Sequence, residues 1–182
     1  MAGTDLVVFT FPDEDGSTTA LQRIVTAKQE NTHVPLIAVN DAAVAIKNDR
    51  GKVKVRQTLE SAIKGSRVAG GGFWGLLIGL LFGGPLLGAV IGAGIRAFSN
   101  RNIDFGIDND FIADVSNSLE PGQSALFLLA ADTTPADIDQ ALGDHDGTLF
   151  HTTLSDETTD AMNDLAGDDE ITSALAAEDE EG

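Results

Sequence analysis

Hydrophobic and polar positions near the start of the chain predict a strand followed by a helix. Residues 5–11 form an apolar run rich in β-branched and aromatic side chains, which is typical of a buried strand. The polar turn DEDG follows, and we expect Ser17 or Thr18 to cap a helix that carries apolar residues on one face. Residues 33–40, HVPLIAVN, are ambiguous because Pro35 argues against a strand.

The pattern further along predicts more strands and helices. Two short apolar runs flank the turn Asn48-Asp49-Arg50-Gly51, which predicts a hairpin of residues 42–47 and 52–57. The elements expected downstream are a helix around Phe111 and Val115, a strand over 125–130, a helix capped by Thr134, a strand over 148–154 and an acidic helix that starts at Ser155.

The order of these elements predicts an α+β fold. Up to residue 130 it reads βαββ, insert, αβ, which is the order of a ferredoxin-like sheet, and an additional αβα unit follows. We therefore expect a composite ferredoxin-like α+β domain from residues 1–58 and 102–154. Residues 59–101 form a glycine-zipper apolar helical insert, and residues 155–182 an acidic helix and tail.

The insert contains an unusually long apolar run. Residues 68–95, VAGGGFWGLLIGLLFGGPLLGAVIGAGI, are 28 consecutive residues without a charge. A continuous helix of that length would reach about 42 Å, which is enough to cross a bilayer. Gly83, Gly84 and Pro85 predict a break near the middle. The run is therefore either a helical hairpin or a single kinked span.

Glycine recurs in the apolar run at every fourth position. Such spacing places small residues on one helix face, where two helix backbones can approach closely. The rows serve either contact between subunits or contact between the two arms of the hairpin. The first row is Gly71, Gly75, Gly79 and Gly83, and the second is Gly84, Gly88 and Gly92.

Charge adds information about the surface. The chain has 29 acidic and 11 basic residues and a formal net charge of −18. Twenty of the acids are Asp. An Asp-rich, Lys-poor surface is typical of halophilic proteins, and an ordinary acidic mesophilic protein is the alternative. The negative field argues against a nucleic-acid partner.

The halophilic interpretation predicts a dependence of stability on salt. Repulsion among the acidic groups is screened at molar salt and grows as salt is removed. The melting temperature is expected to fall by about 5 °C or more between molar and millimolar NaCl. For a domain of this size, that shift corresponds to a loss of about 2 kcal/mol in the free energy of unfolding. A melting temperature that stays constant or rises on desalting would contradict the interpretation.

Most of the basic residues lie close together in the sequence. Nine of the eleven fall between positions 47 and 101. Beside a membrane segment, this basic interaction face would meet anionic headgroups on the cytoplasmic side, and otherwise it pairs with the acidic surface of the same or a neighbouring subunit. The predicted face consists of Lys47, Lys52, Lys54, Arg56, Lys64 and Arg67.

Candidate catalytic chemistry is sparse. The absence of Cys excludes a thiolate nucleophile and Cys-ligated metals. The three histidines are His33, His145 and His151, and adjacent Asp-His-Asp residues at 144–146 point in different directions, as in an exposed acidic turn. No phosphate-binding loop follows the glycines at 70–72. We therefore expect no enzymatic activity, no metal site and no cofactor.

The apolar run and its flanks resemble a known family. The run, preceded by GKVKVRQT and followed by DFGIDNDFIADVSNSLEPGQSALFLL, is similar to the domain-of-unknown-function 1269 family of predicted membrane proteins. The similarity extends roughly from Asp5 to Leu154. It implies an α+β domain that carries a glycine-zipper insert, with no established activity and no catalytic residues to transfer.

Together these observations predict a non-enzymatic, homo-oligomeric, membrane-associated protein. The glycine-zipper hairpin would anchor it in the bilayer, with the α+β domain on the cytoplasmic side. One alternative is a soluble, self-assembling structural protein in the cytoplasm whose apolar inserts bury each other. A second alternative is a membrane-tethered sensor domain for a ligand or stress signal, by analogy of fold alone. The expected partners are further copies of the chain and a lipid bilayer.

Overall fold

The computed structural model describes residues 3–32, 34–64, 72–82 and 106–167. The strands are β1 (Thr4–Phe11), β2 (Val39–Lys47), β3 (Val53–Thr58), β4 (Ser124–Ala130) and β5 (Thr148–Leu154). The helices are α1 (Gly16–Glu30), α2 (Val34–Ile37), α3 (Leu59–Lys64), α4 (Gly72–Phe82), α5 (Asn109–Ser118), α6 (Pro135–Leu142) and α7 (Asp156–Ala166). The described chain is thus a mixed fold with one sheet and seven helices, as the α+β prediction requires.

All five strands pair in one antiparallel sheet with the order β3-β2-β4-β1-β5. β4 lies in the middle, between β1 and β2, and every residue of β4 is buried. Two strands that flank a common antiparallel neighbour run in the same direction. β1 and β2 are therefore parallel, joined through α1 and separated by β4, and β4 and β5 are likewise parallel, joined through α6 and separated by β1.

Helices cover both faces of the sheet, so two apolar cores form. In β1, Leu6 and Val8 face one core, and Val7 and Phe9 face the other, because successive side chains of a strand point to opposite faces. The first core is closed by α4, α5 and α7, and the second by α1, α2 and α6. Burial on both faces explains why β4 reads as a continuous apolar run.

Helix ends confirm the cap predicted at Thr134 and the helix start predicted at Ser155, and they correct the cap predicted for α1. The hydroxyls of Thr134 and Ser155 accept hydrogen bonds from backbone N–H groups at the starts of α6 and α7. The cap predicted for α1 is wrong, because α1 begins earlier, at Gly16, and Ser17 is buried inside it. The Asp13 carboxylate accepts the N–H groups of residues 15 and 16 instead.

Two further predictions have clear outcomes in the described ranges. The hairpin is confirmed as β2 and β3, with Gly51 at a φ of 79° in the turn. The ambiguous residues 33–40 contain the short helix α2 and the start of β2 at Val39. In the described ranges, no helix combines the length and the apolar character that crossing a membrane requires.

Candidate functional site

Helix α4 is built from the first half of the apolar run and contains no polar side chain except the indole of Trp74. It lies on the sheet, in contact with β3, α5 and α7. Hydrophobic burial explains this position, since each large side chain removed from water contributes about 1.5–3 kcal/mol. The buried side chains of α4 are Trp74, Leu76, Leu77, Ile78 and Leu81.

A hydrogen bond connects the start of α4 to strand β2. The Trp74 indole N–H donates to Asp41 Oδ2 at 3.0 Å, and the Ala42 backbone N–H donates to Asp41 Oδ1 at 2.8 Å. Asp41 lies on the same face of β2 as Ala43 and Ala45, which belong to the core under α4, because alternate side chains of a strand share a face. The sheet therefore supplies the polar partner that a buried indole requires.

Asp41 has an altered ionisation. Burial raises the pKa of Asp41 above its ordinary value of 3.8, and the nearby negative charge of Glu60 acts in the same direction. The hydrogen bonds from Ala42 and Trp74 oppose that shift, because they stabilise the carboxylate. Folding is therefore expected to favour the protonated form of this half-buried carboxyl group.

The glycines of α4 lie away from the buried side chains. Gly75 and Gly79 are half-buried and one helical turn apart, so they share one face of α4. A Cβ atom placed on Gly75 would meet no atom within 4 Å. The remaining predicted packing and break residues, Gly71, Gly83, Gly84, Pro85, Gly88 and Gly92, lie outside the described residues.

The predicted basic face is divided between different roles. Lys52 is exposed directly before β3, and Arg56 is exposed on β3. Lys54, between them in the sequence, is half-buried. Lys47 Nζ donates to the Leu119 carbonyl at 2.7 Å, at the end of α5. Lys64 forms an exposed ion pair with Glu60 at 2.5 Å, and it lowers the pKa of that carboxyl. Arg67 lies outside the described residues.

The histidines serve local structure where they are described. The His145 ring lies edge-on to Phe9 and Phe11, its Nε2 is 3.1 Å from Asp139, and its Nδ1 accepts the Gly147 N–H. His145 is therefore half-buried, whereas Asp144 and Asp146 beside it are exposed. His151 Nε2 lies 3.1 Å from Asp5 Oδ1. His33 lies outside the described residues.

A shallow cleft of about 380 Å³ opens beside His145, between the start of α1 and the loop before β5. Arg23, which lines it, donates to the carbonyls of Leu142 and Asp144 at the end of α6. This guanidinium thus satisfies backbone acceptors at a helix C-terminus. No three His, Asp or Glu side chains of the described ranges are placed to hold a metal ion.

Asp41 is the site residue that the sequence analysis missed. Its only sequence signal is indirect: the chain has one Trp, in an apolar helix, and a buried indole N–H needs an acceptor from elsewhere. Asp41 stands 33 residues before Trp74, and the spacing alone does not bring the two together.

Comparison with protein families matches residues 68–166 to the family described as Protein of unknown function (DUF1269). The matched range begins with the apolar run and ends with α7, and it spans more than half of the 182 residues. No curated protein and no solved structure matches the chain. The description of the family names no reaction, ligand or partner, so function is argued from the site.

Proposed function

Because the chain belongs to the DUF1269 family, whose description assigns no activity, we propose its function from the geometry of α4. The protein is a non-enzymatic, self-associating module. Copies contact each other through the glycine-bearing face of α4, and the opposite face of α4 holds the helix on the sheet. The observation that carries this proposal is the open space beside Gly75 on a helix that is apolar on all sides.

A helix that is apolar all round normally has neighbours all round. The sheet, α5 and α7 contact one side of α4, through Leu77 and Leu81 among others. Gly75 and Gly79 lie on another side, where the lack of a Cβ lets a second helix approach closely enough for dispersion and Cα–H contacts. This combination supports helix-to-helix contact at the glycine face.

The sequence supports a second copy as the occupant of that face. The glycine row of α4 ends at Gly83, and a second row with the same four-residue spacing, Gly84, Gly88 and Gly92, follows it in the chain. Equivalent segments of two copies therefore both carry small residues at the same interval, which is the pattern of self-complementary helix pairs. Burial of apolar segments between copies also provides the large apolar interior that 28 uncharged residues require.

Membrane anchoring is the second candidate function, and the length of the uncharged run favours it. In that case the apolar run from residue 83 onward would contribute to the anchor, with the basic residues near Arg56 and Lys64 towards anionic headgroups. The two candidates differ in what the protein needs for solubility. Self-association predicts a water-soluble assembly, and anchoring predicts recovery with the membrane fraction after a carbonate wash.

We also propose that the described sheet has a ferredoxin-like core. The supporting observation is a pair of interlocked units. In the first unit, α1 joins the parallel strands β1 and β2, and β4 lies antiparallel between them. In the second unit, α6 joins the parallel strands β4 and β5, and β1 lies antiparallel between them. Strand β3 is then an addition at the sheet edge, and β5 completes the core. This differs from the assignment expected from the sequence, which placed the second hairpin strand in the ferredoxin-like sheet and the strand over 148–154 in an additional unit. Helices α4, α5 and α7 are a second layer that covers the face opposite α1 and α6.

The glycine face is tested by Gly75→Leu. A Cβ at position 75 meets no atom within 4 Å, and leucine raises helix propensity, so the fold and its melting temperature are expected to be retained. Self-association is expected to weaken about tenfold or more, because the side chain holds two helix backbones apart. Sedimentation velocity at high salt measures the assembly, and circular dichroism measures the fold.

Ala136→Leu is the matched control, since it adds a leucine at an exposed position of α6, remote from α4 in the chain. It is expected to leave the assembly unchanged. If Gly75→Leu keeps both the wild-type fold and the wild-type assembly, the glycine face is not a contact between copies and the proposed function fails.

A further inference from the structure

The sheet has two outer strands, β3 and β5, which differ in charge. Within the described ranges, no strand pairs with the outer edge of either one. An outer strand presents unpaired N–H and C=O groups, so it is a template for another strand unless the sequence blocks it. What each edge accepts therefore depends on the side chains around it.

The β3 edge is basic. Lys52 stands directly before β3, and Arg56 lies on it, at the register shift against β2. Both side chains are exposed, and neither forms an ion pair with another described residue. Arg50, in the turn before β3, is also exposed. Pairing two β3 edges would bring these like charges together, which is unfavourable.

The β5 edge is uncharged along its length and acidic at both ends. The strand TLFHTTL contains no Lys, Arg or Pro, and Leu149 is 36% exposed. Asp144 and Asp146 precede the strand, Asp156 and Glu157 follow it, and all four are exposed. Nothing in the strand itself prevents pairing, but two β5 edges would place acid against acid.

We propose that strand β3 of one copy adds to strand β5 of the next copy, so that a continuous sheet runs through a head-to-tail assembly. Among the three ways of pairing these edges, only this one places opposite charges together. Charge complementarity selects the partner edge and excludes the other two pairings. The backbone hydrogen bonds of strand addition supply the attraction.

Strand direction agrees with this arrangement. The successive antiparallel pairings from β3 to β5 leave the two outer strands running in the same direction. A copy displaced along the sheet therefore sets β3 parallel to β5, with Lys52 near Asp144 and Asp146, and Arg56 towards the acidic end. Sheet twist turns each five-stranded copy by about 100° relative to the last, so the assembly is helical or closes into a ring.

This interface shares with the proposed function only the premise that copies associate. It involves backbone pairing of the outer strands, whereas the proposed function involves the glycine face of α4, a helix that also contacts β3. The two proposals therefore fail separately: Gly75→Leu tests the first, and charge reversal on the outer strands tests the second.

The test uses two purified full-length variants of opposite design. The basic-edge variant combines Lys52→Glu with Arg56→Glu, and the acidic-edge variant combines Asp144→Lys with Asp146→Lys. In either variant alone, the two edges that would pair carry charges of the same sign, so self-association should weaken about tenfold or more. An equal mixture should recover it, because each variant then offers the edge that the other lacks.

A control variant, Asp160→Lys with Asp164→Lys, makes the same net charge change as the acidic-edge variant on exposed positions of α7 and should assemble as the wild type does. Sedimentation velocity is measured at the lowest salt at which circular dichroism shows every variant folded. A basic-edge variant that assembles normally, or a mixture as dispersed as its components, overturns the edge pairing alone. A wild type that is monomeric overturns both proposals.

Discussion

Leu77→Ala is expected to reduce the free energy of unfolding of the whole domain by about 2–5 kcal/mol. Leu77 is 0% exposed and lies in the core between α4 and the sheet, so its removal leaves a cavity in addition to the lost burial. Urea titration at constant high salt, followed by far-ultraviolet circular dichroism, measures the change. The result tests whether the apolar helix is part of the folded core.

Leu80→Ala is the matched control, because it makes the same substitution on the same helix. Leu80 is only half-buried at the margin of that core, so its loss is expected to be less than half as large. The difference in helix propensity is identical for the two variants and cancels. Equal and small losses would show that α4 does not pack on the sheet in solution.

The core between α4 and the sheet bears on two predictions for the apolar run, that it is helical and that it lies in a bilayer. Hydropathy alone cannot distinguish a helix that crosses a bilayer from one that covers a sheet, because both are apolar. Residues 72–82 are helical as predicted, and their large side chains face Phe127 and its neighbours on the sheet.

Most strands and helices could be predicted because their signals are local. The alternation of Val53 and Val55 with polar neighbours, the turn at Gly51 and the capping hydroxyl of Thr134 act within a few residues. The position of β4 between β1 and β2 depends on contacts between residues more than 80 positions apart, such as Ala43 with Phe127. No local signal encodes such pairings.

The same reasoning applies to the candidate site. The glycine spacing on α4 is a sequence pattern, and the structure places Gly75 and Gly79 on one face as that pattern predicts. The contact between Trp74 and Asp41 depends instead on the position of α4 over β2, which brings the indole to the face that Asp41 shares with Ala43. Lys47 likewise proves to bind a helix end, because the strand order brings α5 beside it.

Asp41→Ala is expected to be about 1–3 kcal/mol less stable than Asp41→Asn. Both substitutions remove the half-buried charge, but asparagine retains one side-chain oxygen, which can accept either the Trp74 indole N–H or the Ala42 N–H, whereas the carboxylate of Asp41 accepts the two on separate oxygens. Alanine leaves a buried donor without a partner. Urea titration at neutral pH measures the difference, and the emission of Trp74, the only Trp in the chain, reports on this contact directly.

Comparison of wild type with Asp41→Asn adds a dependence on pH whose sign follows from the raised pKa of Asp41. A carboxyl with a raised folded pKa contributes stability that is complete below its ordinary value of 3.8 and is lost as the pH rises through the raised value. Asparagine does not titrate, so the stability of Asp41→Asn relative to wild type should increase over that pH interval and then become constant. If the difference is independent of pH from about 3.5 to 7, folding does not respond to the protonation of Asp41. If it decreases as the pH rises, the pKa of Asp41 is lowered by folding, and its hydrogen bonds outweigh the effect of burial.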